Sequence, residues 1–155
     1  MSFSNLKLSD PILQALKTNQ YVTPTPIQEK VIPLILEKHD IMARAQTGSG
    51  KSASFVLPVL ELWSQNIPEG KAKIKVLVLT PTRELTLQVA QYFSDFGTHL
   101  ARKPKVVSII GGESIGDQLY AIQKGCDVLV ATSGRFLDVL SKKQMNLSQD
   151  RKSVV

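Results

Sequence analysis

Apolar positions along this chain fall into two kinds of pattern. Three short runs rich in Val, Ile and Leu lie at residues 75–80 (KVLVLT), 106–110 (VVSII) and 127–132 (DVLVAT). They show no polar alternation, which is how strands of a parallel sheet covered on both faces read. A weaker run at 40–45 (DIMARA) is expected to add a central fourth strand. Helical spacing fills the intervals. Residues 52–63 carry Phe55, Val56, Val59, Leu60 and Trp63, with a kink expected at Pro58. Residues 84–100 carry Leu85, Val89, Tyr92, Phe93 and Phe96, and 114–124 is expected to stop at Gly125. Ahead of these, 10–17 reads as a helix capped by Ser9 with Pro11 in its first turn. Residues 25–36 read as a second helix, opened by the capping box Thr25-Pro26-Ile27-Gln28. Alternating strands and helices predict an α/β fold, a parallel sheet flanked by helices with right-handed crossovers.

Composition narrows the picture. The chain has 155 residues, 43% of them hydrophobic and 21% charged, which suits one folded domain and excludes wholesale disorder. No apolar run approaches the ~18 residues of a membrane span, and no signal-peptide pattern opens the chain. Cys126 is the one cysteine, so neither an internal disulfide nor a cysteine zinc site can form. These features point to a soluble, cytoplasmic protein with no membrane partner. A net charge of +6 favours an anionic partner such as nucleic acid or nucleotide, although scattered surface lysines give the same number.

The most specific local signal is Ala45-Gln46-Thr47-Gly48-Ser49-Gly50-Lys51-Ser52. Placed between a strand and a helix, it reads as a phosphate-binding P-loop. Gly48 and Gly50 allow the backbone to turn its N–H groups inward as an anion nest. The helix N-terminus adds its positive dipole end. Lys51 reaches the terminal phosphates as a point charge, and Ser52 offers a hydroxyl to Mg²⁺. Ala45 stands where the strict pattern has glycine. The same composition also occurs in flexible surface turns, and the loop alone says nucleotide and nothing finer.

Phe3, the stretch Tyr21-Val22-Thr23-Pro24-Thr25-Pro26-Ile27-Gln28, the AQTGSGKS loop, Pro81-Thr82-Arg83-Glu84-Leu85, Gly111-Gly112 and Thr132-Ser133-Gly134-Arg135 follow one another in the order of the motifs of a DEAD-box ATP-dependent RNA helicase. The chain resembles that family over residues 1–149, and its opening MSFSNLKLSDPIL looks most like the bacterial RhlE-type branch. The resemblance implies a RecA-like P-loop domain that binds ATP with Mg²⁺. It implies adenine stacking on Tyr21, adenine recognition by Gln28, Phe3 as the isolated upstream aromatic, and phosphate binding by residues 45–52, with Lys51 and Ser52 in catalytic roles. It also implies RNA held by its sugar-phosphate backbone, without sequence preference, at Pro81, Thr82, Arg83, Glu84, Gly111, Gly112, Thr132, Gly134 and Arg135. For Tyr21 core packing, and for Gln28 helix capping, are the alternatives.

The pattern departs from the family at Gln20 (usually Gly), Ser52 (commonly Thr), Thr86 (usually Ala) and Ser133 (usually Pro). The larger departure lies at the end. Hydrolysis needs a carboxylate at a strand end, and none of the three clear strands ends in Asp or Glu. The DEAD tetrapeptide expected after Gln149, and the second RecA-like domain, are not in the sequence. Residues 1–39 therefore read as a helical region around PTPIQ, and 40–149 as part of a RecA-like ATP-binding domain. Residues 150–155 read as a non-native tail, since GAT CGG AAG AGC GTC GTG, which matches a common sequencing-library adapter, encodes DRKSVV; an ordinary divergent tail or a natural truncation is the alternative. This stretch alone is expected not to hydrolyse ATP. A different P-loop ATPase or kinase, or a non-enzymatic nucleotide- or RNA-binding module, are the competing readings.

Overall fold

The computed structural model describes residues 1–142 and 153–154. The tail read at 150–155 lies outside the described residues apart from Ser153 and Val154. The chain divides into two compact units, Met1–Ile67 with Tyr92–Lys103, and Pro68–Gln91 with Pro104–Val155.

The first unit is helical. A 3-10 turn at Phe3–Leu6 precedes α1 (Asp10–Thr18), α2 (Pro26–Leu36) and α3 (Lys51–Ser64). Ser9 caps α1 through its backbone, its carbonyl accepting from the N–H groups of Ile12 and Leu13 at 3.1 and 3.0 Å. Its side chain does something the sequence pattern did not predict. The N–H and Oγ of Ser9 both donate to Glu61 Oε2, at 2.9 and 2.8 Å. That pair of donors satisfies a carboxylate buried on α3 and ties the start of α1 to it. The expected kink at Pro58 does not interrupt α3, which is helical from Lys51 to Ser64. Ile12, Ala15 and Leu16 of α1, Val31 and Ile32 of α2, and Val56, Leu57 and Leu60 of α3 are buried at the spacing of amphipathic faces.

Helices α1 and α2 end alike. Gln20 N–H donates to Lys17 O and Tyr21 N–H to Leu16 O. After α2, Lys38 N–H donates to Ile35 O and His39 N–H to Leu34 O. Each is the paired Schellman pattern, which places one residue in the left-handed region. Those residues are Gln20 (φ 62°) and Lys38 (φ 64°), where glycine would sit without strain.

The second unit holds the sheet. β1 (Val76–Thr80), β2 (Val106–Ile109), β3 (Val128–Thr132) and the short β4 (Ser153–Val154) are parallel, in the order β2-β3-β1-β4. Val76 lies opposite Val128 and Thr80 opposite Thr132, while Val106 also lies opposite Val128. β1 leads into α4 (Arg83–Phe96), whose last residues belong to the first unit, β2 into α5 (Ile115–Lys124), and β3 directly into α6 (Ser133–Ser141). Leu77, Ile109, Leu129 and Ala131 share one face of the sheet and pack with Leu119 of α5 and Phe136 and Val139 of α6. Val128 and Val130, on the opposite face of β3, are buried as well. Asp127, fully buried just before β3, accepts the Lys105 N–H at 2.8 Å and so anchors the start of the strand.

The strand expected at 40–45 is absent. Those residues carry no regular structure, and Met42 is fully exposed. A strand is held by its ladder partners, and this stretch lies in the unit that contains no described strand. Asp40 and Arg44 also break its apolar run. The P-loop therefore opens a helix, as expected, without a strand ahead of it.

Candidate functional site

The loop at residues 45–52 meets α3 at Gly50, which is the helix N-cap in the left-handed region (φ 80°, ψ 23°) and supplies no capping side chain. Gly48 has the same φ. With no side-chain cap, the first-turn N–H groups of Lys51, Ser52 and Ala53 lack intrahelical acceptors and point out of the positive end of the helix dipole. Ser49 N–H closes the turn onto Gln46 O at 3.3 Å, and the exposed Lys51 ammonium donates across it to Ala45 O. The Ser49 hydroxyl is buried and lacks a hydrogen-bond partner among the described residues. Gln46 and Thr47 are exposed, and Ser52 is half-buried in the first turn. Unclaimed N–H groups, an unpartnered hydroxyl and a cation on one loop fit a phosphate chain. Ser52 adds one oxygen for a cation, and no cluster of His, Cys, Asp or Glu suited to hold a metal occurs among the described residues.

Gln28 is buried, and both ends of its amide are used within the chain. Its Oε1 accepts the Thr25 N–H at 3.0 Å, the Gln28 half of the expected capping box, while Thr25 Oγ1 has no hydrogen-bond partner among the described residues, and its Nε2 donates to Gly50 O at 3.2 Å. Gly50 O also accepts Ser54 N–H at 3.1 Å. A Cβ on Gly50 would lie 2.4 Å from Gln28 Nε2, so glycine is required here by contact as well as by conformation. Sequence reading placed both residues at a nucleotide but not against each other.

Tyr21 sits edge-on to Phe96, ring centroids 5.2 Å apart at 82°. Partial burial and a hydrogen bond with Tyr92 raise its phenol pKa to about 12. Core packing thus accounts for part of this side chain. Phe3 is buried in the 3-10 turn. Phe3 and Tyr21 line one cavity of about 450 Å³ together with Leu13, Leu16 and Lys17. Gln28 and the loop residues do not line it.

In the second unit, three loops share one edge because β1, β2 and β3 are parallel neighbours. Pro81, Thr82, Arg83 and Glu84 follow β1 and are exposed. Thr82 Oγ1 accepts the Leu85 N–H at 3.1 Å, so it caps α4 and keeps its own proton for another acceptor. Thr86 is buried because its hydroxyl bonds Thr80 Oγ1 at 2.5 Å and donates to Thr82 O at 3.0 Å. The Arg83 guanidinium lies over Gly112: a Cβ there would meet its Nη1 at 2.9 Å and Cζ at 3.1 Å, and Gly112 has φ 84°. Gly111 is next to the same guanidinium. Thr132 is the N-cap of α6 without a side-chain capping bond, and Gly134 and Arg135 occupy the first turn. Nothing lies within 4 Å of a Cβ placed on Gly134. Arg135 Nη1 donates to Glu113 O at 3.2 Å and to Gln118 Oε1 at 3.4 Å.

Gln118 is the residue that sequence reading missed. It is buried on α5, where Ile115, Leu119 and Ile122 form the apolar stripe, and its Nε2 donates to Ile110 O at 3.0 Å. A polar residue at stripe spacing was the available signal.

Comparison with known proteins bears on the family and the fold. The DEAD/DEAH box helicase family profile matches residues 25–155. The chain is 45% identical over 149 residues to "ATP-dependent RNA helicase DeaD" of Escherichia coli K12, covering 96% of this chain and 23% of that protein. It is 45% identical over 147 residues to the protein of the same name in Buchnera aphidicola (Acyrthosiphon pisum), covering 95% and 24%. The crystal structure of a DEAD box protein from Methanococcus jannaschii superposes with a TM-score of 0.84 at 41% identity, covering 95% of this chain and 39% of that one. The chain thus spans about a quarter of the curated relatives it matches.

Proposed function

The chain belongs to the DEAD/DEAH box helicase family, and from that premise we propose that it is the ATP- and RNA-binding portion of an ATP-dependent RNA helicase. The observation that carries this reading is the shared edge of β1, β2 and β3. There Arg83, the Gly111-Gly112 turn and Arg135 place cations and close-approach backbone together. Such groups suit a phosphodiester backbone, and contacts to the backbone carry no sequence information, so in this reading RNA binding is sequence-independent. The PTPIQ and PTREL stretches and the paired loops at this edge argue against a small-molecule kinase.

ATP is assigned to the other unit. The N–H groups at the start of α3, Lys51 and the Ser49 hydroxyl would hold the phosphates, and Ser52 would offer one oxygen to Mg²⁺. Bound ATP supplies the phosphoanhydride; the chain orients it and neutralises its charge. Gln28 acts from beneath by fixing the Gly50 carbonyl, and Tyr21 with Phe3 offers aromatic surface for adenine. The described strands β1, β2 and β3 end at Thr80, Ile109 and Thr132, none a carboxylate. In this reading the stretch holds ATP without turning it over, and a second RecA-like domain, which the resemblance implies, would supply the rest. The opening thirteen residues favour the RhlE-type branch. The single, buried Cys126 suits a reducing cytoplasm, and no described helix is long and apolar enough to cross a membrane.

The test is direct titration of the chain with fluorescent ATP and GTP and with single-stranded oligouridine and oligoadenine, alongside phosphate release. ATP bound in preference to GTP, both RNAs bound alike and no phosphate released is the expected result. No nucleotide binding, or strong preference for one RNA sequence, overturns the assignment.

A further inference from the structure

We propose that Gln118 is a positioning residue that fastens the turn after β2 to Arg135 of α6, so that the separate loops of the RNA-binding edge act as one surface. This inference rests on the RNA reading of that edge.

The geometry is that of a two-ended strut. Gln118 is buried and comes from the first turn of α5, not from any of the loops it touches. Its Nε2 donates to Ile110 O at 3.0 Å, at the point where β2 gives way to Gly111-Gly112. Its Oε1 accepts from Arg135 Nη1 at 3.4 Å, in the first turn of α6. The same Arg135 nitrogen also reaches Glu113 O at 3.2 Å, on the far side of the glycine pair. Glu113 Oε2 accepts from Gln118 Nε2 at 3.4 Å. The turn is therefore gripped on both sides of Gly111-Gly112, while Arg83 lies against the glycines themselves.

An amide can do this. The Ile110 carbonyl needs a donor and the Arg135 guanidinium needs an acceptor, and a single buried side chain must supply both. A carboxylate would answer Arg135 but set an acceptor against an acceptor at Ile110. A hydrocarbon would answer neither. Glycine turns are otherwise mobile, and a guanidinium has many rotamers to lose on binding a phosphate. Holding both in place beforehand removes part of that cost at the moment RNA binds.

The experiment uses the full chain and four proteins: wild type, Gln118→Met, Arg135→Met and the double variant. Oligouridine affinity is measured by fluorescence anisotropy and ATP affinity by fluorescent-nucleotide titration. The ordering of the Arg135 guanidinium is followed by its Nε–H NMR signal without RNA. Gln118→Met is expected to weaken RNA binding by about tenfold, the usual scale for one partnered buried hydrogen bond, with ATP affinity unchanged. Adding Gln118→Met to Arg135→Met is expected to cost far less than it does alone, since the two act together. The Arg135 signal is expected to broaden in Gln118→Met and to stay sharp in Gln118→Glu, which keeps the acceptor and serves as the second variant should methionine unfold the chain. A sharp Arg135 signal in Gln118→Met, or additive losses in the double variant, overturns the positioning role. If Arg135→Met binds RNA as tightly as wild type while the Arg135 signal still depends on Gln118, the strut stands and it is the RNA reading of this edge that fails.

Discussion

Gln28 Nε2 donates to the carbonyl of Gly50 at 3.2 Å, joining the capping box of α2 to the N-cap of α3. The contact puts a side chain read as a base-contacting group directly under the phosphate loop. A β-carbon at Gly50 would intrude to 2.4 Å from that amide, at a φ of 80° that side chains rarely adopt.

Gly50→Ala is therefore expected to fail on two counts. Forcing an L-residue into the left-handed region costs about 1–2 kcal/mol, and displacing Gln28 removes a buried hydrogen bond worth about 1 kcal/mol. Chemical denaturation should show a loss of about 2–3 kcal/mol, with nucleotide binding abolished. Gln28→Ala should destabilise by about 1–3 kcal/mol through the Thr25 N–H and Gly50 O left unpaired, and weaken ATP more than GTP. Equal loss for both nucleotides would leave Gln28 only its structural part.

Lys51→Ala separates phosphate binding from folding. Lys51 is exposed and its ammonium bonds the Ala45 carbonyl of its own loop, so the melting temperature should hardly move. Loss of a charge-assisted contact to phosphate should lower ATP affinity by about 10- to 100-fold. Unchanged ATP affinity would detach the loop from the nucleotide.

Gln20→Gly and Lys38→Gly should each stabilise the chain. Both residues sit at the left-handed position of a Schellman helix end, where glycine relieves about 1 kcal/mol of strain. The gains should add, because the two ends are separate helices. A loss of stability in either variant, read by urea denaturation, would show that the side chain makes an offsetting contact.

Cys126 should resist alkylation in the folded chain. Burial, with Asp127 adding to it, pushes its thiol pKa up to about 12, so at pH 8 almost no thiolate exists. Iodoacetamide labelling should require unfolding. The sign of the pH effect follows: with the folded pKa above the unfolded one, the thiol stabilises the fold fully at neutral pH. That contribution is lost as pH rises from about 9 toward 12. The raised phenol of Tyr21 acts in the same direction from about pH 10. Alkaline titration of Tyr21→Phe and Cys126→Ala should therefore unfold at higher pH than wild type.

Local chemistry determined a large part of this protein. The apolar runs at 75–80, 106–110 and 127–132 became β1, β2 and β3 within a residue or two. Non-alternating Val and Leu side chains need cover on both faces, and a parallel sheet provides it. The capping box at Thr25, the stop at Gly125 and the glycines of the P-loop were legible because each is a demand of the backbone on its own residue. Tertiary structure decided the rest. DIMARA at 40–45 has a strand's composition but found no ladder in its unit, and pairing is a property of neighbours. Ser9 gave its side chain to Glu61, 52 positions away, rather than to its own helix. Gln28 met Gly50, and Gln118 reached Ile110 and Arg135, across sequence gaps that no local pattern spans. An amide's partners are chosen by what the fold brings within 3–3.5 Å of it, and that distance is set only once the helices and strands have packed.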